Sequence, residues 1–201
     1  MILLWSIIEM KKLLHMNNDH EYLKKVTIGI PKKHNATIYL SEYDPNWPLV
    51  YKQLSKEIQS VLQEKVILIE HVGSTSVPGL CAKPIIDILL EVENSADENQ
   101  YVSKLESIGY VLKIREPDWY QHRCFKHFDP EVNLHVFSKD CKESKRMIWF
   151  RNHLRNNEAD RTLYANAKRE LALRKWEYIQ DYADAKSRVV SNIMSHMEVL
   201  S

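Results

Sequence analysis

The chain has 201 residues, of which 44% are hydrophobic and 27% are charged, and its formal net charge is +1. This length and composition are typical of one globular domain with a sizeable core, and the near-neutral charge argues against a general nucleic-acid-binding role. Three cysteines and 4 glycines favour a compact chain without a disulfide framework, in a reducing compartment. We therefore expect a cytoplasmic protein.

The N-terminal segment carries a short apolar run, residues 1–8, which is followed by lysines. A spanning helix needs about 20 apolar residues, and a secretory signal carries its positive charge before the apolar run. We expect no membrane association. We interpret residues 1–40 as an irregular leader and residues 41–198 as a single domain.

The remaining pattern alternates between helical and extended segments. A helix is predicted from Trp47, and the β-branched run at 66–72 predicts a strand that leads into a turn at 73–79. A second, almost wholly apolar strand follows at 85–92 and is expected to be central in the sheet. Next come a helix at 97–108, strands at 110–115, 122–128 and 132–138, and helices at about 142–156, 158–175 and 177–198. This order predicts an α/β (α+β) fold, a mixed β-sheet with helices on one face and a C-terminal helical cap.

The turn between the first two strands and the start of the second strand carry the chemistry. Gly73 allows close backbone approach to a ligand, and the successive residues Ser74, Thr75 and Ser76 offer hydroxyls and amides that suit a polyphosphate. Asp87 lies in an apolar strand, where a carboxylate is costly unless it is paired or binds a metal ion such as Mg²⁺. Each feature taken alone is more often structural: a Gly-Ser turn, the loop residue Lys83 and a hydrogen-bonded aspartate all have ordinary roles.

The same stretch resembles the GrpB family, whose signature is a Gly-Ser-Thr-Ser-Val-Pro-Gly-Leu turn that leads through Lys-Pro to Ile-Ile-Asp. Here these are residues 73–80 and 83–87. The resemblance extends over about residues 40–195, and its further matches are Tyr43, Asp44, Trp47, Pro48, Gly109, Tyr110, Leu134, His135, Val136, Phe150, Arg151, Leu154, Arg155, Glu158, Ala159, Tyr164, Lys168, Tyr182 and Lys186. It implies the fold of the nucleotidyltransferases and a relation to the domain fused to some dephospho-coenzyme A kinases. It does not imply a particular reaction.

One departure from the nucleotidyltransferase pattern concerns the metal ligands. Those enzymes place two carboxylates two residues apart on the strand after the turn, but here Asp87 is followed by Leu89. Glu91 lies about 13 Å further along the strand, too far to share an ion with Asp87. A further ligand would have to come from a neighbouring strand, where Asn133 and His135 are the candidates.

We predict the following site. The catalytic residues are Asp87 and Ser74, and the metal ligands are Asp87 and His135. Nucleotide phosphates are bound by Gly73, Ser74, Thr75, Ser76, Lys83, Arg151 and Lys186. Arginine is the natural bidentate partner of phosphate, and Lys186 shares a helix face with Tyr182.

Other constellations have weaker support. A zinc site built from His122, Cys124, His127 and His135 is disfavoured, because His127 falls on the opposite face of its predicted strand. No nucleophile elbow and no Walker loop are present.

Three functions stay open. The first is an enzyme that moves a nucleotidyl group from a nucleoside triphosphate to a small acceptor with Mg²⁺. The second is a non-catalytic binder of nucleotides or phosphometabolites, and the third is a structural partner domain. Leu89 favours the second.

Overall fold

The computed structural model describes residues 19–199. Within that range the chain forms helices α1 (Asp19–Val26), α2 (Trp47–Leu62), α3 (Val102–Glu106), α4 (Lys142–Asn156), α5 (Glu158–Ala172), α6 (Ile179–Ala185) and α7 (Ser187–Val199). The strands are β1 (Leu68–Val72), β2 (Ile86–Val92), β3 (Val111–Glu116), β4 (His122–Phe128) and β5 (Glu131–Ser138).

The five strands form one mixed sheet in the order β1-β2-β5-β4-β3. The central pair, β2 and β5, is parallel, and the other neighbours are antiparallel. In the register, Val72 lies opposite Asp87 across β1 and β2, and Asn133 lies opposite Asp87 across β2 and β5. The predicted mixed sheet is therefore confirmed, and β2 is central as its apolar sequence indicated.

One face of the sheet forms the main hydrophobic core. Successive strand residues point to opposite faces, so Ile86, Ile88 and Leu90 share a face of β2. They pack with Leu134 of β5 and with α2 residues such as Ile58, all of them buried. Helices α2 and α3 thus cover this face, as the 3.6-residue spacing of the apolar positions in α2 predicts.

The C-terminal helices cover part of the other face and the end of β1. Met147 and Ile148 of α4 pack on Leu89 and Phe137. A second buried cluster joins the C-terminal helices to the turn region. Its members are Val77, Leu80 and Cys81 of the turn region, Leu154 of α4, Tyr164 and Ala165 of α5, and Ile193 of α7. The predicted C-terminal cap is confirmed, with the difference that the last predicted helix breaks at Lys186 into α6 and α7.

Residues 1–18 of the expected leader lie outside the described residues. Of the described part, α1 lies against β3, where Ile28 N donates to Lys113 O at 2.8 Å. Val26 and Ile38 are buried, and Ala36 and Ser41 form isolated bridges with Trp176 and Ala82. Within the part of the chain that the structure describes, no helix has the length and apolar character needed to cross a membrane.

Candidate functional site

The turn after β1 brings its backbone against the side chain of Asp87. Gly73 has a φ of +69°, and a Cβ at this position would lie 2.3 Å from Asp87 Oδ2 and 2.9 Å from Asp87 Cβ. Any larger residue would therefore displace the carboxylate. Glycine is required here both for the left-handed backbone and for the close approach.

Two hydroxyls of the turn hold the turn itself together. Ser76 Oγ donates to Gly73 O at 2.6 Å, and Thr75 Oγ1 donates to Ile85 O at 3.1 Å. Both side chains are buried. The structure therefore places Thr75 and Ser76 in the predicted loop, with their hydroxyls already engaged by main-chain carbonyls.

His71 of β1 contacts this turn through Thr75. Its Nε2 lies 3.1 Å from Thr75 Oγ1, whose single proton goes to Ile85 O, so the ring donates through Nε2–H. Burial lowers the pKa of His71 to about 4, against the opposing charge of Asp87. The ring is therefore neutral at pH 7 and stacks on Tyr51, with ring centroids 4.7 Å apart.

Ser74 faces a cluster of basic side chains. Lys168 of α5 donates from Nζ to Ser74 Oγ at 3.0 Å and to Cys81 O. The same ammonium lies 4.9 Å from the ring centroid of Tyr164. Lys168 is only 2% exposed, although the groups that its ammonium contacts here are neutral oxygens and an aromatic ring. Burial lowers the pKa of Lys168 to about 7.

Two more lysines complete this lysine cluster, which we define as Lys83, Lys168 and Lys186. The Nζ atoms of Lys83 and Lys186 lie 5.7 and 4.6 Å from the ring centroid of Tyr182. Burial lowers the pKa of Lys83 to about 8 and also lowers that of Lys186. Among residues 21–195, none of the three forms an ion pair with a carboxylate within 4 Å. The three ammonium groups therefore make no direct ion pair among these residues, although the charge of Asp87 acts on all three from a greater distance.

Asp87 is the carboxylate beside this cluster. Its Oδ1 accepts a hydrogen bond from Asn133 Nδ2 at 2.6 Å and lies 3.9 Å from His135 Nε2. Burial raises the pKa of Asp87, but His135, Asn133 and Lys83 outweigh burial and hold it below its usual value. Asp87 is therefore ionised at neutral pH, and about a quarter of its side chain, 26%, is exposed.

The neighbouring strand supplies the side chains expected from the sequence. Asn133 and His135 of β5 both lie beside Asp87, as their shared strand face predicts. Asn133 also accepts from Lys126 Nζ through Oδ1, which fixes the orientation of its amide. The face that carries Asp87 thus continues as a polar row across β5 and β4.

Arg151 occupies a different place from the lysines. Its Nη1 donates to Glu70 Oε2 at 2.6 Å and to His71 O at 2.7 Å, and its side chain is 8% exposed. Arg155 donates to Ser76 O through Nε at 3.0 Å and Nη2 at 2.8 Å. Both guanidiniums therefore bind the main chain at β1 and its turn.

Other polar residues near this region are separated from the candidate site. Glu91 is buried and accepts from Asp140 N at 3.3 Å. His127 lies on the opposite face of β4 and contacts Pro130 O through Nδ1 at 3.0 Å. Among residues 21–195, no three His, Cys, Asp or Glu side chains converge into a metal-binding group. Cys81, Cys124 and Cys141 are all free thiols.

A family model described as "GrpB protein" matches residues 37–196, about four-fifths of the chain. The chain belongs to the GrpB family. The resemblance read from the turn motif is thereby confirmed.

Similar proteins extend across most of the chain. A UPF0157 protein of Halalkalibacterium halodurans is 58% identical over 174 residues, which is 87% of this chain and 89% of that protein. The solved structure of GrpB from Enterococcus faecalis has a TM-score of 0.63 and 29% identity, and the match covers 77% of this chain and 98% of that one.

More distant likenesses are partial. A dephospho-CoA kinase of Mycolicibacterium paratuberculosis is 32% identical over 78 residues, 37% of this chain and 19% of that protein. A solved cytoplasmic RNA terminal U-transferase has a TM-score of 0.42 and 9% identity, with 75% of this chain and 43% of that one covered, which is too distant to support a statement about activity.

Sequence reasoning missed two residues of this candidate site. Lys168 and Tyr164 lie four residues apart on one face of α5, and both meet Ser74 or its surroundings. The four-residue spacing of Tyr164 and Lys168 was visible in the sequence, but other lysines and arginines of these helices have similar helical spacing. Only the packing of α5 on the turn distinguishes Lys168 from them.

Proposed function

We propose that this protein binds the phosphates of a nucleoside triphosphate at the Gly73–Ser76 turn and transfers its nucleotidyl group to a small acceptor. The observation that carries the proposal is the buried ammonium of Lys168, which contacts Ser74 Oγ and Cys81 O and has no carboxylate partner among the described residues. A buried charge without a counter-ion is costly, and a bound anion would offset that cost.

The lysine cluster supports a multiply charged ligand. Lys83 and Lys186 lie on the ring of Tyr182, and the charge of Lys186 lowers the pKa of both Lys83 and Lys168 after the larger effect of burial. Three ammonium groups in one region, of which Lys186 disfavours the charged forms of the other two, match the several negative charges of a polyphosphate. In the proposal, Ser74 and these lysines hold the phosphates and neutralise the charge that develops during transfer.

The donor set at Asp87 fits one divalent cation. Asp87 is ionised and partly exposed, one of its oxygens faces the turn, and His135 lies on the other side. A magnesium ion commonly uses one or two protein carboxylates together with substrate phosphates and water. Bound Mg²⁺ would polarise a phosphoryl oxygen and orient the triphosphate. Asp87 and His135 would hold it, and Asn133 would keep the Asp87 carboxylate in place.

The positions of the other predicted residues refine their roles. The close approach of Gly73 to Asp87 keeps the turn beside the metal ligands, and Thr75 and Ser76 shape the turn through their main-chain contacts. Arg151 is engaged by Glu70 and His71 O, so we assign it to support of the β1 end. A direct phosphate contact from Arg151 would have to replace those two bonds.

A non-catalytic binder is the second candidate, and Leu89 favours it. The residue two positions after Asp87 is a leucine and not a second carboxylate, and Leu89 is fully buried under α4. Turnover of a triphosphate that depends on a divalent cation distinguishes the enzyme from the binder. Absence of any phosphate binding would leave the structural partner domain.

The test is nucleotide binding by the full chain and by two matched variants. Lys168→Met removes the buried ammonium and keeps the length of the side chain. Arg169→Met removes one positive charge from the adjacent, exposed position of α5, where Arg169 pairs with Glu42 on the surface. A ligand at 100 times its dissociation constant raises the free energy of unfolding by about 2.7 kcal/mol, which thermal melting detects.

We expect ATP, with and without Mg²⁺, to raise the melting temperature of the parent and of Arg169→Met equally. Lys168→Met should bind ATP at least about tenfold more weakly, since a hydrogen bond to a charged group contributes about 1.5–3 kcal/mol. Equal binding by all three proteins would contradict the proposed phosphate site. Binding without metal-dependent turnover would support the second candidate.

A further inference from the structure

The sheet face that carries Asp87 continues away from the turn as a partly exposed surface on β5 and β4. Asn133 lies opposite Asp87 in the register, and Lys126 lies opposite Asn133. Neighbouring strands are about 4.8 Å apart, so the backbone of Lys126 is about 10 Å from that of Asp87. The Gly73–Ser76 turn follows β1, on the other side of β2. The turn and Lys126 therefore flank Asp87 on opposite sides.

A single amide group joins Lys126 to Asp87. Lys126 Nζ donates to Asn133 Oδ1, and Asn133 Nδ2 donates to Asp87 Oδ1 at 2.6 Å. An ammonium group has three N–H donors, so two donors of Lys126 remain after the bond to Asn133. Among residues 21–195, Lys126 forms no ion pair with a carboxylate. Its positive charge can therefore bind an anion beside Asp87.

Two exposed apolar side chains lie next to Lys126 on the same face. Phe128 is two residues further along β4, so alternation puts it on the face of Lys126, and Val111 of β3 lies directly opposite Lys126. Phe128 is 65% exposed and Val111 is 38% exposed. A cation between two apolar side chains suits a ligand that joins an anionic group to an apolar or aromatic body.

Two carboxylates share this face with Lys126. Asp87 is held by Asn133, and in the proposed function it binds a cation. Glu131 lies opposite Phe128 at the end of the hairpin and is exposed, so solvent and salt screen its charge. An anion at Lys126 would therefore replace no ion pair with either carboxylate.

The geometry of nucleotidyl transfer limits where an acceptor can lie. The attacking and leaving oxygens are roughly in line, on opposite sides of the phosphorus. In the proposed function, the turn and the lysine cluster hold the phosphates that leave. The acceptor oxygen must then approach from the other side of Asp87, where β5 and β4 carry Asn133 and Lys126.

We propose that Lys126 binds an acceptor whose nucleophile is an anionic oxygen, a phosphate monoester or a carboxylate, and whose apolar body packs on Phe128. The inference rests on the proposed function and names its acceptor class. An anionic oxygen forms the bond to the α-phosphorus without losing a proton. The bond between the α-phosphorus and the bridging oxygen breaks, and pyrophosphate leaves with the electron pair. No base is required, so Asp87 can serve the cation alone.

The test is the binding of small probes to the full chain, without nucleotide or divalent cation, measured by ligand-observed NMR. Phenyl phosphate and benzoate carry an anionic group on a ring, whereas phenol is uncharged at pH 7. Lys126→Met removes the ammonium group, and Phe128→Ala removes the exposed ring. Lys104→Met is the matched control, because Lys104 is exposed on α3, which covers the opposite face of the sheet.

We expect the parent and Lys104→Met to bind one or both anions at least about tenfold more tightly than phenol, because a hydrogen bond to a charged group is strong. Lys126→Met should weaken anion binding by at least about tenfold. Phe128→Ala should weaken it by about threefold, the effect of losing one aromatic contact. The anion that binds more tightly distinguishes a phosphate monoester from a carboxylate.

A further variant separates this site from the lysine cluster, which also attracts anions. Lys168→Met removes the buried ammonium group on the turn side. Anions should still bind to Lys168→Met, and adding Lys126→Met to it should abolish that binding. Because Phe128 is exposed, Phe128→Ala keeps the inference testable even if a lysine variant fails to fold.

Three outcomes would overturn the inference. One is that neither anion binds to the parent, another is equal affinity in the parent and in folded Lys126→Met, and the third is a loss of binding caused by Lys168→Met alone. None of these depends on nucleotide. Failure of ATP binding with intact, Lys126-dependent anion binding would reject the proposed function and leave the anion site standing.

Discussion

The two faces of the sheet differ in what they bury, although alternating residues of the same strands build them. On β2, Ile86, Ile88 and Leu90 enter the core beneath α2, while Asp87 and Leu89 point the other way. On β5, Leu134 joins the core face. One register thus fixes both faces at once.

The difference lies in how each face is covered. On the core face, α2 and α3 exclude water and leave apolar packing as the main contribution. On the other face, α4 covers Leu89, but Asp87 and His135 remain partly exposed, at 26% and 24% of their side chains. A strand can therefore be central in the sheet and still keep a carboxylate partly exposed to solvent.

The largest effect should separate adjacent residues of β2. Ile88→Ala should lower the free energy of unfolding by about 2–5 kcal/mol, because Ile88 is fully buried and the substitution leaves a cavity. Asp87→Asn should leave the unfolding free energy unchanged or raise it, because ligand-binding groups often reduce stability and asparagine can still accept from Asn133. Chemical denaturation of the apo proteins measures both.

Asp87→Asn should also abolish cation binding and cation-dependent nucleotide binding. If instead it lowers the unfolding free energy by about 1–3 kcal/mol and ligands still bind, Asp87 is only a structural hydrogen-bond acceptor. The metal-site proposal would then be wrong.

The second effect concerns two glycines of the same turn. Gly73 and Gly79 have φ values of +69° and +77°, so alanine at either position costs about 1–2 kcal/mol of backbone strain. Only at Gly73 would the new Cβ meet the Asp87 side chain; at Gly79 nothing lies within 4 Å. The free energy of unfolding of Gly73→Ala should therefore be lower than that of Gly79→Ala by about 1–3 kcal/mol.

Ligand binding should separate the same pair. We expect Gly73→Ala to lose at least about tenfold in nucleotide affinity, since 1.4 kcal/mol is a factor of ten. Gly79→Ala should bind as the parent does. Equal stability and equal affinity of the two variants would show that the contact between Gly73 and Asp87 does not shape the site.

The smallest effect is a pH dependence of nucleotide affinity. Burial gives Lys168 and Lys83 pKa values of about 7 and 8, and a bound polyphosphate would favour their charged forms and raise both values. Affinity should be greatest where both are already charged and should fall as pH rises from 7.5 to 9. For each group the fall is at most about tenfold per pH unit.

Calorimetric titration with ATP across this range provides the measurement, because phosphate groups, with a second pKa near 6, keep a constant charge there. The slope should be shallower in Lys168→Met. An affinity that rises with pH would show that the lysine cluster does not carry the bound charge.

The sequence predicted the strands, the central place of β2 and the position of the turn, because each depends on local pattern. The nearly continuous apolar run at 85–92 indicated a buried strand, and the Gly73 motif indicated the family, now confirmed by the match over residues 37–196. The sequence also named His135 and Asn133 as candidate neighbours of Asp87, since period-two geometry puts both on one face of their strand, and the pairing of β5 with β2 brings them beside it.

Other features depend on contacts between distant segments. Lys168 lies 94 residues from Ser74, and Arg151 lies 81 residues from Glu70. Both residues read as basic positions on amphipathic helices, and only packing shows that one faces the candidate phosphate site and the other binds the end of β1. Similarly, the helix predicted at 177–198 is broken at Lys186, beside Tyr182.

The sequence by itself determined the mixed sheet, the glycine turn and the single carboxylate on β2, because side-chain periodicity and the demand for a positive φ are properties of short segments. The tertiary structure alone decided which charges are left without partners. Desolvation of Lys168 requires α5 to pack on the turn, and the contacts from Glu116 through His122 to His135 require β3, β4 and β5 to pair side by side. Burial and hydrogen bonding between distant strands and helices set these charges and contacts, and no local pattern encodes them.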